Sequence, residues 1–200
     1  MIQSQYPDIN QTSLVGYDKM FEIRPATHYA NKHYHFRNVI LAEMISNYEP
    51  KKIFEFAAGS YDLAQLIITT NPQLKYYRWS DWSQECLNQC KEVLEQYDVC
   101  KLMRIDICKK YWKVKWSAFD CIVSVSVEHL ENDLDIIRSM PSGTRFFFGV
   151  PNFDDPQHFR FFESESDIEL RFSGLLDIFE IKVYEYRNIY KKFMISSVRK

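Results

Sequence analysis

The sequence predicts an α/β fold: a doubly wound, mostly parallel sheet of seven strands that ends in an antiparallel hairpin. Three observations carry this. From residue 52 to residue 150, short apolar runs alternate with segments whose apolar residues recur at helical spacing, the order that builds a parallel sheet with helices on both faces. Near the end, two strand-like runs are separated only by Arg187-Asn188-Ile189. That connection is too short for a crossover helix, so the two strands must pair antiparallel. A length of 200 residues suits a single domain whose core needs neither disulfides nor a structural metal.

The elements follow in order. Residues 1 to about 20 are polar with weak periodicity and read as an arm or lead-in, so that 1–32 form an arm or lid and 33–200 the core of one domain. His33–Tyr48 carries Phe36, Val39, Ile40, Met44 and Ile45 at helical spacing and stops before Pro50. Lys52–Ala58 is a short apolar run, read as a buried strand. Leu63–Ile68 is helical, Leu74–Ser80 a strand, and Ser83 caps a helix running to Tyr97. Val99–Ile105 and Phe119–Val125 are strands, Leu134–Met140 a helix stopped by Pro141, Thr144–Val150 a strand, and Arg160–Leu170 a helix. Ile178–Tyr186 and Tyr190–Val198 form the closing hairpin.

Composition narrows the function. Apolar residues make up 46% and charged residues 26%, which excludes a disordered chain. A net charge of −2 argues against a protein held mainly by nucleic-acid phosphates or anionic lipid. No apolar run approaches the roughly 20 residues that span a bilayer. The N-terminus lacks the charged-then-apolar layout of a signal peptide, so a cytoplasmic protein with no membrane partner is expected. The five cysteines are irregularly spaced with no C-x-x-C, which disfavours a zinc site or a disulfide framework.

In a sheet of this kind ligands lie at the carboxyl ends of the strands, near the switch in strand order. The loops there are Glu55-Phe56-Ala57-Ala58-Gly59-Ser60-Tyr61-Asp62, Ser80-Asp81-Trp82-Ser83, Ile105-Asp106-Ile107, Ser124-Val125-Ser126-Val127-Glu128-His129, and the stretch from Val150 to His158. Small residues in the first let backbone approach a ligand. An acid at Asp81 suits both hydroxyls of a ribose, and one at Asp106 an adenine amino group. Either acid could equally be a turn or helix cap. All five histidines fall in the segment before the sheet (His28, His33, His35) or in these loops (His129, His158), where proton transfer near neutral pH could use them.

The series KKIFEFAAGSYDLAQLI, YYRWSDWSQECLNQCKE, LMRIDI, FDCIVSVSVEHLEND and GTRFFFGVPNFDDPQHFRFF resembles, in order and spacing, the class I S-adenosylmethionine-dependent methyltransferases, in particular their small type 11-like branch. The resemblance runs from about residue 33 to the end and implies their Rossmann-like sheet. It implies that Gly59, with Glu55, Ala57 and Ala58, passes beneath the methionine part of the cofactor. It implies too that Asp81 holds the ribose, Trp82 packs on the adenine, Asp106 meets its amino group beside Ile107, and Ser124 faces the methionine moiety. Ala57, Gly59 and Tyr61 stand where the family's loop reads G-x-G-x-G. Glu128-His129 resembles the end of the E-x-x-E-H motif of metal-dependent O-methyltransferases. Val125 replaces the first acid, so no metal is expected, and Glu128, His129 and His158 are the expected catalytic groups. Tyr29 and His33 on the lid, and Asn152 and Arg160 on the loop after strand five, are the expected substrate contacts. The implied activity is methyl transfer from S-adenosylmethionine to an oxygen or nitrogen of a small or medium acceptor, leaving S-adenosylhomocysteine. Two other readings stand beside it: a non-catalytic binding module, favoured by Tyr61 and the missing glycines, and a nucleic-acid methyltransferase using the basic stretches 109–115 and 191–200, against which the overall acidity counts.

Overall fold

A computed structural model describes residues 14–23, 25, 26, 32–155, 157–186 and 190–200, the side chains of 14–17, 32 and 33 excepted. Seven strands are present: β1 (Lys52–Glu55), β2 (Tyr76–Asp81), β3 (Cys100–Arg104), β4 (Cys121–Ser124), β5 (Arg145–Pro151), β6 (Leu176–Tyr186) and β7 (Tyr190–Arg199). They form one sheet in the order β3-β2-β1-β4-β5-β7-β6. The first five are parallel, and β7 runs antiparallel to both β5 and β6. The helices are α1 (Leu14–Ile23), α2 (Lys32–Ser46), α3 (Asp62–Thr70), α4 (Gln84–Leu94), α5 (Ile107–Lys110), α6 (Asp133–Ser139) and α7 (Glu165–Phe172).

Alternation along the strands divides the interior into two cores. Ile53, Tyr77, Trp79, Val123 and Phe147 face one side, against Phe21, Leu41, Ile45, Ala64, Ile67 and Cys90 of α1–α4. Phe54, Ile122, Phe146 and Phe148 face the other, against Ile107, Ile136, Ile137, Ile168 and Phe172 of α5–α7. The loops that could build a site therefore rise from a sheet anchored on both faces. Among the described residues no helix is long and apolar enough to cross a membrane.

Three elements depart from the sequence reading. The strand read as Lys52–Ala58 ends at Glu55, because Ala57 turns into the left-handed region at φ 49°, at a cost of about 1–2 kcal/mol for a residue with a Cβ. The helix read as Arg160–Leu170 begins only at Glu165, where Ser164 and Asp167 form a reciprocal capping box. Part of the polar arm is a helix, α1, which buries Met20 and Phe21. Gln89 of α4 ties that segment down, donating to the Phe21 carbonyl at 3.0 Å and accepting from the Ala26 N–H at 2.7 Å.

Candidate functional site

Strand order reverses between β1 and β4, and the loops after β1 and β4 part there to leave a cleft at the carboxyl edge. The loop after β1 is held from β2. The Ala58 N–H donates to the Ser80 carbonyl at 3.2 Å, and Trp79 Nε1 to the Ser60 carbonyl at 3.0 Å. Asp81 links this loop to the next: its carboxylate accepts from the Gly59 N–H and the Ser83 N–H, each at 3.0 Å. Gly59 takes φ 66°, the left-handed geometry that only glycine adopts without strain. Burial pushes the Asp81 carboxyl up to about 6, against the pull of these backbone hydrogen bonds.

The cleft has two lobes. The larger, ≈ 890 Å³ with its open mouth, is lined by Ala57, Asp81, Trp82, Asp106, Ile107 and Phe159 among others. The second, ≈ 690 Å³ on the same measure, is lined by Tyr34, Arg37, Gly59, Glu128, His158 and Lys192 among others. Ser126, His129 and Gln157 border both, so the lobes are continuous. Asp106 also caps α5, accepting from the Lys109 N–H at 3.3 Å and pairing with its ammonium at 3.2 Å.

Four ionisable groups meet in the second lobe. Glu128 is 1% exposed. Its Oε1 accepts from Lys192 Nζ at 3.2 Å, and Nε2 of His158 and of His129 stand 3.9 and 4.0 Å from the same oxygen. Its Oε2 is buried without a hydrogen-bond partner among the described residues. The two imidazoles meet edge to face with centroids 4.8 Å apart. His129 Nδ1 faces the Gln157 carbonyl at 3.2 Å and His158 Nδ1 the Phe153 carbonyl at 3.1 Å. A carbonyl only accepts, so each neutral ring carries its proton on Nδ1 and a lone pair on Nε2. Burial pushes His129 down to about 4, outweighing the attraction of Glu128. Burial also lowers Lys192 to about 8, again outweighing Glu128. For Glu128 the balance reverses: burial raises its pKa, but Lys192, His129 and His158 together hold it below the usual value. Glu128, His129 and His158 each offer one ligand atom within 4.8 Å of the others, a set able to hold a cation. The Lys192 ammonium already supplies a positive charge there.

Other sequence-predicted residues lie elsewhere. Glu55 points into the core with Ile53. Its Oε2 accepts from the Tyr77 hydroxyl at 2.8 Å, and burial pushes it to about 8. Ser124 is buried and lines neither lobe; Ser126 takes the cleft position. Asn152 accepts from the Lys191 N–H at 2.5 Å, bracing β5 against β7. Arg160 pairs with the buried Asp133 at 3.1 Å and donates to the Leu130 and Glu131 carbonyls. Neither Asn152 nor Arg160 lines either lobe. Tyr29 lies outside the described residues; His33 belongs to α2, one position before Tyr34. Tyr61 lines neither lobe and is partly buried against the core between the sheet and α1–α4. Sequence reasoning missed Lys192, Arg37 and Gln157. Lys192 was legible only as part of a basic stretch, although it occupies an inward position of β7 two residues from the buried Met194.

No protein-family model and no curated protein matches the sequence. Solved structures do. The N-methyltransferase NodS from Bradyrhizobium japonicum WM9, in complex with S-adenosylhomocysteine, superposes with a TM-score of 0.66 at 14% identity, covering 90% of this chain and 97% of NodS. Magnesium protoporphyrin IX methyltransferase (ChlM) from Synechocystis PCC 6803, with bound S-adenosylmethionine, gives 0.64 at 11% identity, covering 99% and 100%. An O-methyltransferase family protein from Burkholderia thailandensis gives 0.61 at 9% identity, covering 97% of this chain and 65% of that one. Sheet order, terminal hairpin and these superpositions agree: the chain has the fold of the class I S-adenosylmethionine-dependent methyltransferases.

Proposed function

We propose that the protein is an S-adenosylmethionine-dependent methyltransferase acting on a small-molecule acceptor. The observation that carries this is the two-lobed cleft: carboxylates at the ends of β2 and β3 in one lobe, and a carboxylate with two imidazoles in the other, meeting beside Ala57–Gly59. The NodS and ChlM structures, which hold S-adenosylhomocysteine and S-adenosylmethionine on the same fold, support it.

The larger lobe suits the adenosine. Asp81 accepts from the ribose hydroxyls, Asp106 from the adenine amino group, and Trp82 and Ile107 supply apolar contact. Ala57, Ala58 and Gly59 carry the methionine part toward the second lobe. The bound cofactor supplies a methyl group already activated on a sulfonium. The protein must chiefly hold the acceptor in line, exclude water and accept a proton. His129, shared by both lobes, accepts that proton at Nε2, with Glu128 and His158 beside it. Tyr34 and Arg37 of α2 border the second lobe on the side where an acceptor would enter. The protein works in the cytoplasm, with neither nucleic acid nor membrane as partner. Calorimetric titration with S-adenosylhomocysteine is the test: binding with a raised melting temperature is expected, and no heat or thermal shift at millimolar ligand would refute the proposal.

A further inference from the structure

The structure assigns a role to Lys192 and, through it, a chemical class to the acceptor: the second lobe takes an oxygen acid, a phenol or enol, whose developing oxyanion Lys192 stabilises. This rests on the methyltransferase reading above.

The lobe sets the Lys192 amine, the Glu128 carboxylate and two imidazole edges around one point. Lys192 lies in β7 opposite Pro151 of β5 and Tyr184 of β6, and only 7% of it is exposed. Among the described residues its ammonium makes one hydrogen bond, to Glu128 Oε1, and lies 5.0 Å from the Phe153 ring centroid. An ammonium carries three protons, so donors remain for a ligand. Nε2 of His158 and of His129, 3.9 and 4.0 Å from the same carboxylate oxygen, are the ring nitrogens not engaged by a backbone carbonyl, and in a neutral ring such a nitrogen carries a lone pair. The lobe's remaining charges, Arg37 and Asp155, are of opposite sign.

An amine and a hydroxyl make different demands on such a site. A neutral amine attacks with its own lone pair, needs no base at that moment, and becomes a cation. Here that cation would form beside the buried Lys192, and like charges repel. A hydroxyl must lose its proton, and the oxygen gains negative charge as it does so. In the balanced step, the O–H bond breaks and its proton passes to Nε2 of His129. The O–CH3 bond forms as the methyl–sulfur bond breaks, and that bond's electron pair stays on sulfur. The products are an ether, a thioether and an imidazolium beside Glu128. The His129 imidazole is partly withdrawn from water, which weakens it as a base, so an acidic acceptor suits it. A neighbouring ammonium makes the acceptor more acidic.

The probe is 4-nitrophenol, whose anion absorbs in the visible, added to protein saturated with S-adenosylhomocysteine. Bound probe is expected to ionise about one to three pH units lower than free probe, the usual effect of an opposite charge within a few ångströms. Lys192→Met should abolish the displacement and Lys192→Arg should retain it. Lys192→Met leaves a lone buried carboxylate, so the double variant Glu128→Gln/Lys192→Met supplies a folded protein without either charge, and it too should show no displacement. Benzylamine should not compete with the probe. An unshifted or unbound probe in the wild type, a displacement that survives the double variant, or effective competition by benzylamine overturns the assignment while leaving the methyltransferase reading intact. Failure of the wild type to bind S-adenosylhomocysteine overturns both.

Discussion

Asp81→Asn tests most directly the proposal that the larger lobe holds the cofactor. The carboxyl is 1% exposed and is pushed from 3.8 to about 6, first by burial, against the hydrogen bonds from the Ser83 and Gly59 amides. At 1.36 kcal/mol per pH unit this corresponds to about 3 kcal/mol. The sign follows from the direction. Between pH 3.8 and about 6 the native state holds a proton that the unfolded chain has lost, so this contribution to stability is present below 3.8 and lost as pH rises through about 6. A ligand that donates two hydroxyls to the carboxylate acts the other way. It favours the ionised form, so binding releases a proton and strengthens with rising pH until Asp81 is ionised in the free protein. We expect the affinity for S-adenosylhomocysteine to rise about tenfold from pH 5 to pH 7.5, since one proton limits the slope to tenfold per unit, and to level off above. Asp81→Asn should flatten this profile and weaken binding at pH 7.5 by about 1–3 kcal/mol, the scale for losing a charged acceptor. Calorimetry in buffers of different ionisation enthalpy reads both affinity and proton release. A flat wild-type profile without proton release refutes the reasoning. So does an Asn variant that binds normally but melts lower, which would make Asp81 only the clasp between two loops.

Two further outcomes are expected. Asp133 is buried, pairs with Arg171 at 2.6 Å and with Arg160 at 3.1 Å, and so joins α6, α7 and the loop after β5. Asp133→Ala should cost about 3–5 kcal/mol in denaturant unfolding by stranding partly buried cations, and a loss below 1 kcal/mol would show that the cluster is screened by solvent. Methyl transfer should survive EDTA, since Val125 replaces an acid and Lys192 already supplies the positive charge at Glu128. Activity that vanishes with chelator and returns with Mg²⁺ would overturn this.

What could be read from the chain was what depends on local pattern. Ile53, Phe54, Ile122 and Val123 sit in continuous apolar runs because parallel strands are covered on both faces. The acids at Asp81 and Asp106 were visible because a strand end places them. What could not be read was pairing across distance. Arg160 follows the loop after β5 at the spacing of a substrate contact, yet Asp133, 27 residues earlier, engages it. Lys192 and Glu128 are 64 residues apart, and no periodicity announces which of the paired Lys191 and Lys192 at the start of β7 faces inward. The start of α7 was misplaced because Ser164 and Asp167 form their capping box inside a stretch that already alternates polar and aromatic residues.

The glycine-poor loop shows which part of the family's pattern the fold requires. The backbone must turn left-handed at 57 and 59. Gly59 does so freely, and Ala57 does so at φ 49° with a methyl small enough to border the cleft without closing it. At position 61 no such demand exists. Tyr61 has φ −85° and ψ −15°, open to any residue, and packs against the core between the sheet and α1–α4. The tyrosine is therefore no obstacle to a ligand, and the weight it lent to a non-catalytic module falls away. The strain that remains lies at Ala57 and in the raised carboxyl of Asp81, both bordering the cleft at the carboxyl ends of β1 and β2. A chain selected for stability alone would place glycine and apolar side chains there. An unfavourable backbone and a buried acid at the same sheet edge fit the proposed cofactor site, where stability is traded for binding.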